Sequence, residues 1–258
     1  MAETIAVLSL KGGTGKTTTV RTLTDVLRRI GLDVLAVDLD PQGNLSDYFD
    51  VPPDASPTIS DVLRGDAKAK AAVHDGIVPA SPILAEVERG LSGKIGRELV
   101  LRKALKDVRK SHDVILVDCP PALGLLTING LVAADWALIS SEAQYFALQG
   151  VQGALDVIEQ AKEYYNADLE FLGVLMNIAD MRTVHSREAY AQLKEAFGEK
   201  VFETVIRSSI AYAESAERAT SILDYRPDLG TDYVSLADEV LARIGSVSAR
   251  KKLQALRA

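Results

Sequence analysis

The sequence predicts an α/β fold: a doubly wound, mostly parallel sheet flanked by helices. Three observations carry that prediction. Short apolar runs alternate with stretches of helical periodicity along the chain, as in successive strand–helix–strand units. A glycine-rich stretch, Lys11-Gly12-Gly13-Thr14-Gly15-Lys16-Thr17-Thr18, stands between the first apolar run and the first helical pattern, the context a phosphate-binding loop needs. Two apolar runs end in carboxylates, Asp38 and Asp118, at the sheet edge where such folds bind ligands.

Ile5–Leu10 reads as the first strand. Lys16–Ile30 is the first helix, with Val20, Leu23, Val26, Leu27 and Ile30 on one face and Gly31 ending it. Asp33–Asp38 is the second strand. Val51–Ser60 is a proline-rich loop, and Thr58–Leu63 a short helix with Thr58 as its cap. Ile77–Pro79 reads as a strand, then Pro82–Leu91 and Glu98–Lys110 as helices. Val114–Asp118, Trp136–Ser140, Phe171–Met176 and Val201–Ile206 are further strands. Gln152–Tyr165, Ser186–Phe197 and Tyr233–Ile244 are the helices among and after them. The expected organisation is one domain over residues 1–245 and a short basic tail over 246–258.

The 258 residues are 47% hydrophobic and 25% charged, enough apolar material for a sizeable core. One cysteine, Cys119, excludes an intrachain disulfide and suits a reducing cytoplasm. In an apolar strand end with no paired histidine pattern it reads as a small core residue. His74, His112 and His185 show no ligand spacing. No apolar run reaches the ~20 residues of a membrane span, and no signal peptide is expected before Ile5. Net charge is −7, which argues against a dedicated nucleic-acid coat. The charge is uneven: from Arg243 onward stand Arg243, Arg250, Lys251, Lys252 and Arg257 with no acid. Such a tail is either a solvated helix end or a contact for DNA phosphates or an anionic membrane.

In the glycine loop, Gly12, Gly13 and Gly15 let the backbone approach phosphate oxygens, and Thr14 and Thr18 complete the turn and first helical residues. Lys16 is placed for the terminal phosphates and the Thr17 hydroxyl for Mg²⁺. The pattern departs from G-x-x-x-x-G-K-[ST], because Leu10 stands where the first glycine is asked for, and Lys11 is an additional cation. Asp38-Leu39-Asp40-Pro41-Gln42-Gly43-Asn44 follows the second strand, and Asp118-Cys119-Pro120-Pro121 ends another apolar strand. A strand-end acid of that kind holds Mg²⁺, usually through water.

The loop with Lys11, the D-x-D-P-Q-G-N run and the D-C-P-P segment resemble the ParA/MinD family of deviant Walker A ATPases, and within it the small ParA type. The resemblance spans nearly the whole chain. It implies ATP and Mg²⁺ as cofactors and Mg-dependent hydrolysis. It assigns Lys11, Lys16 and Asp40 to catalysis, with Lys11 reaching the phosphates of a partner subunit across a sandwich dimer and Asp40 positioning water. It places Thr17, Asp38 and Asp118 around the metal and Asn177 against adenine. Glu142–Gly150 resembles the family's E-Y-Y-A-L-E-G segment near the nucleotide and dimer face; it also reads simply as a helix start with aromatic core contacts.

The implied function is a partition ATPase. Its ATP-dependent homodimer binds nonspecific double-stranded DNA, a ParB-type centromere-binding partner stimulates hydrolysis, and the protein is cytoplasmic and nucleoid-associated. Ile206–Ser215 departs from the family's I-P-R-N-V-R-L-S-E-A pattern, so the DNA contact made there is not carried over. Arg207, Arg218, Arg250, Lys251 and Lys252 are the candidate DNA residues instead. No N-terminal helix-turn-helix is expected. The alternative is a MinD-like ATPase on a membrane surface or one positioning non-DNA cargo. The tail offers Leu253 and Leu256 but no Phe or Trp, so a membrane partner is not expected.

Overall fold

The computed structural model describes residues 1–144 and 147–257, with side chains described as far as Ala255. Seven parallel strands form one sheet in the order β3-β2-β4-β1-β5-β6-β7. They are β1 (Glu3–Leu8), β2 (Val34–Asp38), β3 (Ile77–Val78), β4 (Val114–Asp118), β5 (Trp136–Glu142), β6 (Glu170–Ala179) and β7 (Val201–Arg207). β1 lies centrally between β4 and β5, where the winding direction reverses, so its C-terminal end opens onto the ligand crevice of this sheet class.

The period-2 alternation of the strands divides the interior into two cores. Ala6, Leu8, Leu35, Val37, Ile115, Val117, Ile139, Val174 and Met176 face one layer of helices. Ile5, Val7, Val34, Ala36, Val114, Leu116, Leu138, Leu172 and Leu175 face the other. The first layer holds α3 (Ile59–Arg64), α4 (Leu84–Leu91), α5 (Val100–Ala104), α6 (Leu125–Ala133), α7 (Ala147–Tyr164) and α8 (Val184–Phe197). The second holds α1 (Lys16–Arg29), α2 (Asn44–Tyr48), α9 (Ala211–Glu217), α10 (Ile222–Tyr225), α11 (Pro227–Arg243) and α12 (Val247–Arg257).

Most expected elements are present with ends shifted by a few residues. Thr58 caps α3 in a reciprocal capping box with Asp61. One expectation differs. Glu98–Lys110 is not one helix but a 3₁₀ turn, the short α5 and a second 3₁₀ turn. Within the short basic tail, read from sequence as a solvated helix end or an anion contact, α12 forms a helix whose Ala249 and Leu253 are buried against the α11 side of the core.

Arg243, counted with that basic tail from sequence, has a structural role. Its guanidinium lies over the Phe202 ring, 3.8 Å from the centroid. It donates to the carbonyls of Leu172, Glu199, Lys200 and Val201, binding β6 to β7. Gly173 makes room for it. The glycine has φ +151°, and a Cβ there would come 2.2 Å from an Arg243 nitrogen and 2.3 Å from the Lys200 carbonyl oxygen. The Gly173→Ala variant should therefore lose on the order of 2 kcal/mol or more of stability. A lower urea midpoint with an unchanged slope checks this, and an unaltered midpoint contradicts it.

Candidate functional site

The loop from Ser9 to Gly15 joins β1 to α1. Gly13 and Gly15 sit at φ +77° and +79°, a region glycine enters without cost. α1 begins with no side-chain cap and no acid in its first turn, so its unpaired N–H groups and positive dipole end face the loop and favour an anion. The loop is held from below by hydroxyls. Ser9 Oγ donates to the Lys11 carbonyl at 2.7 Å, Thr14 Oγ1 to Ser9 Oγ at 2.9 Å, and Ser140 Oγ to the Thr14 carbonyl at 2.6 Å. Lys16 is buried, whereas Lys11, Gly12 and Gly13 are exposed.

Asn177, at the end of β6, donates through Nδ2 to Ser140 Oγ at 2.7 Å and to Thr19 Oγ1 at 3.2 Å. Thr19 in turn donates to the Gly15 carbonyl at 2.8 Å. The Asn177 amide nitrogen therefore braces the loop, and only its Oδ1 remains to meet a base. A Cβ on Gly15 would stand 3.0 Å from the Asn177 side chain, so the loop and this amide fit against each other.

Asp38 and Asp118 are opposite one another in the β2–β4 register, and both are buried. Their oxygens are used differently. Asp38 Oδ1 accepts from Asp40 N at 3.1 Å, and Oδ2 accepts from Ser46 N at 2.9 Å and Ser46 Oγ at 2.7 Å. It orders the loop that carries Asp40. Asp118 Oδ2 accepts from Thr17 Oγ1 at 2.7 Å, while its Oδ1 is buried with no partner. Burial first, and then the neighbouring Asp38 charge, push the Asp118 carboxyl far above the ordinary carboxylate range; the Thr17 hydrogen bond and Lys16 oppose this. Burial likewise raises Asp38, opposed by its bonds to Ser46 and Asp40.

An orphaned carboxylate oxygen beside a threonine hydroxyl at the foot of a phosphate loop is a fitting donor set for Mg²⁺, which takes one or two carboxylates and completes its shell with water and phosphate. Asp40 Oδ1 accepts from Gln42 N at 3.0 Å. Asp40, Lys16, Thr17, Asn177 and Tyr212 line one pocket of about 730 Å³ above the loop.

A family model described as AAA domain matches residues 2–171. The chain is 37% identical over 251 residues to the sporulation initiation inhibitor protein Soj of Bacillus subtilis, covering 94% of this chain and 99% of that one. It is 39% identical over 246 residues to the chromosome-partitioning ATPase Soj of Thermus thermophilus, covering 93% and 96%. The septum site-determining protein MinD of Pyrococcus horikoshii, solved with Mg-ADP, superimposes with a TM-score of 0.76 at 26% identity over 93% of this chain and 96% of that chain.

The chain belongs to the ParA/MinD family of ATPases. This ParA/MinD ATPase uses ATP and Mg²⁺. One pocket brings together Gly12, Gly13, Thr14, Gly15, Lys16, Thr17, Thr18, Asp40 and Asn177; Asp118 joins them through its bond to Thr17 and Asp38 lies opposite Asp118 in the sheet, whereas Lys11 lines a separate small pocket with Ser9 and Ser140. Sequence reasoning missed Ser46 and Ser140, which orient Asp38 and the loop. Ser140 was signalled by its place at the end of β5. Ser46 gave no local signal, because its bond to Asp38 crosses a turn. Cys119 is buried, and burial together with the adjacent Asp118 charge raises its thiol, as a core residue requires. Tyr145 and Phe146 of the aromatic segment lie outside the described residues.

The candidate DNA residues are not gathered at one place. Arg207 lines the nucleotide pocket and pairs with Asp232 at 2.8 Å. Arg250 pairs with Asp238 at 2.9 Å. Both acids are on α11, six residues apart, hence about 9 Å along the axis and roughly 240° around it. Arg218 stacks on Tyr225 at 5.0 Å, and Lys251 and Lys252 are exposed on α12.

The raised carboxyls have a thermodynamic sign. Their contribution to stability is full below the unfolded-state carboxylate range near 4 and is lost as pH rises toward the raised folded values. The nucleotide-free ATPase should therefore lose stability through this pair as pH rises from about 5 to 8. Asp118→Asn should flatten the slope, as measured by denaturant unfolding across that range. An equally steep slope in the variant would assign it elsewhere.

Proposed function

We propose that this ATPase is a partition switch. ATP joins two copies into a sandwich dimer, the dimer binds nonspecific duplex DNA, and a ParB-type partner triggers hydrolysis that releases it. The observation carrying this reading is the division of labour between the loop's two lysines. Lys16 is buried within the loop's own phosphate cradle, whereas Lys11 is exposed at its mouth. A cation at that position suits the phosphates held by a facing copy. The Soj relatives, similar over nearly their full length, support the partition role.

In this scheme the loop N–H groups and Lys16 hold the phosphates in line. Thr17 and Asp118 would hold Mg²⁺, which would neutralise phosphate charge; Asp38 keeps the neighbouring strand end in place. Asp40 orients the attacking water, its carboxylate aimed by the Gln42 amide. Lys11 stabilises charge on the transferring phosphoryl group from across the interface. Exposed Lys251, Lys252 and Arg218 meet DNA phosphates. Arg207 and Arg250 join them only by leaving Asp232 and Asp238, carboxylates 15% and 17% exposed, without their partners, which favours the other three.

The membrane alternative is disfavoured by α12. Ala249 and Leu253 are spent on the protein's own core, and among the described residues no helix is long and apolar enough to cross a membrane.

Co-sedimentation with nonspecific duplex across a salt series tests the reading. Binding should require ATP and weaken with salt with a log–log slope of about −5 for six or so phosphate contacts, three from each copy. Nucleotide-independent binding, or none, would contradict it. Lys11→Ala and Asp40→Ala should each retain ATP binding and lose at least about tenfold in turnover, Lys11→Ala also losing dimerisation. Phosphate release and light scattering report both, and normal dimerisation of Lys11→Ala would remove the proposed trans contact.

A further inference from the structure

On the opposite face of the sheet from α1, at the β3 edge, a second cleft of about 850 Å³ opens between α3 with its following 3₁₀ turn (Ala69–Ala72) and the α4–α5 side. It shares no lining residue with the nucleotide pocket. Its floor is apolar: Leu63 and Leu91 are buried, and Val100 and Ala104 half-buried. Its rim is cationic. Lys68, Lys70, Lys94 and Lys103 are all exposed, and none of them forms an ion pair among the described residues. Arg64 and Lys110 stand on the same rim but are matched locally, by Asp61 and Asp66 and by Asp107.

On a chain of net charge −7, four unmatched ammonium groups around one apolar hollow are unusual. Elsewhere on the same rim, lysine and arginine alternate with acids three residues away, the ordinary pattern of a solvated helix face. Mutual repulsion of the lysines and water over the apolar floor both disfavour the open cleft. One kind of occupant relieves both: a polypeptide segment whose apolar side chains fill the floor and whose carboxylates meet the rim. Duplex DNA matches the charge but presents a convex phosphate surface with no apolar side chain to cover Val100 and Ala104.

We propose that this cleft is the docking site for an acidic, apolar-anchored segment of a protein partner, separate from the nucleotide site. Specificity comes from the floor, and the lysine rim supplies steering and a salt-dependent part of the affinity.

The test uses the full chain and a fluorescein-labelled helical peptide bearing Glu on one face and Leu on the other, followed by anisotropy at low salt. Two control peptides replace Glu with Gln or Leu with Ser. The proposal expects saturable binding of the Glu/Leu peptide, weakened at least about tenfold in either control and by added salt. It expects a similar loss in Lys94→Glu/Lys103→Glu, with Lys68→Glu/Lys70→Glu as an independent pair, while ATP turnover of both variants stays at the parent level. Absence of binding would overturn it. So would equal binding of the Leu-to-Ser peptide with displacement by duplex DNA, which would make the cleft a general nucleic-acid surface. Unchanged affinity in both charge-reversal pairs would overturn it as well.

Discussion

The structure depends on two carboxylates buried side by side. The β2–β4 register sets Asp38 opposite Asp118, where neither reaches bulk water. Two like charges so placed cannot both ionise without compensation. The fold compensates them unequally. Asp38 receives three hydrogen bonds from its own loop, and Asp118 receives one from Thr17. The oxygen of Asp118 left without a partner marks where positive charge is needed. Phosphate loop, second loop and strand β4 thus meet at a charge imbalance that a bound Mg²⁺ would offset.

That arrangement also ties distant elements to the site. Ser46, which holds Asp38, also accepts from Ala80 N at 2.9 Å, joining the second loop to the segment after β3. Tyr48, at the end of α2, shares a 2.6 Å hydrogen bond with Ser215 of α9. The helix α2 that follows the Asp40 loop is therefore bonded both to the segment after β3 and to α9. α9 also carries Tyr212, which with Arg207 lines the pocket wall.

Sequence carried the fold and the centre of the site because both are written locally. Strand runs, the glycine turn, Thr58 as a cap and acids at strand ends need only neighbours in the chain to be recognised. What was not legible depends on long-range partners. Nothing near Arg243 announces that it clasps β6 to β7, or near Arg207 and Arg250 that α11 supplies Asp232 and Asp238. Asn177 reads from sequence as following a strand and meeting adenine; it lies within β6, and its amide nitrogen serves the loop through Ser140 and Thr19. The 98–110 stretch has helical apolar spacing, yet packing of Leu101 and Leu105 into the sheet face is achieved by a helix broken at both ends. Leu253 read as a tail residue because its burial comes from α11 and α1, far away in sequence.

The central claim is that the Asp38–Asp118 pair retains a proton until nucleotide and metal arrive. Calorimetric titration with preformed Mg-ATP at about pH 7.5, repeated in buffers of different ionisation enthalpy, counts protons released on binding. The account predicts net release approaching one proton, abolished in Asp118→Asn. Binding with no net proton release in the parent protein would contradict it.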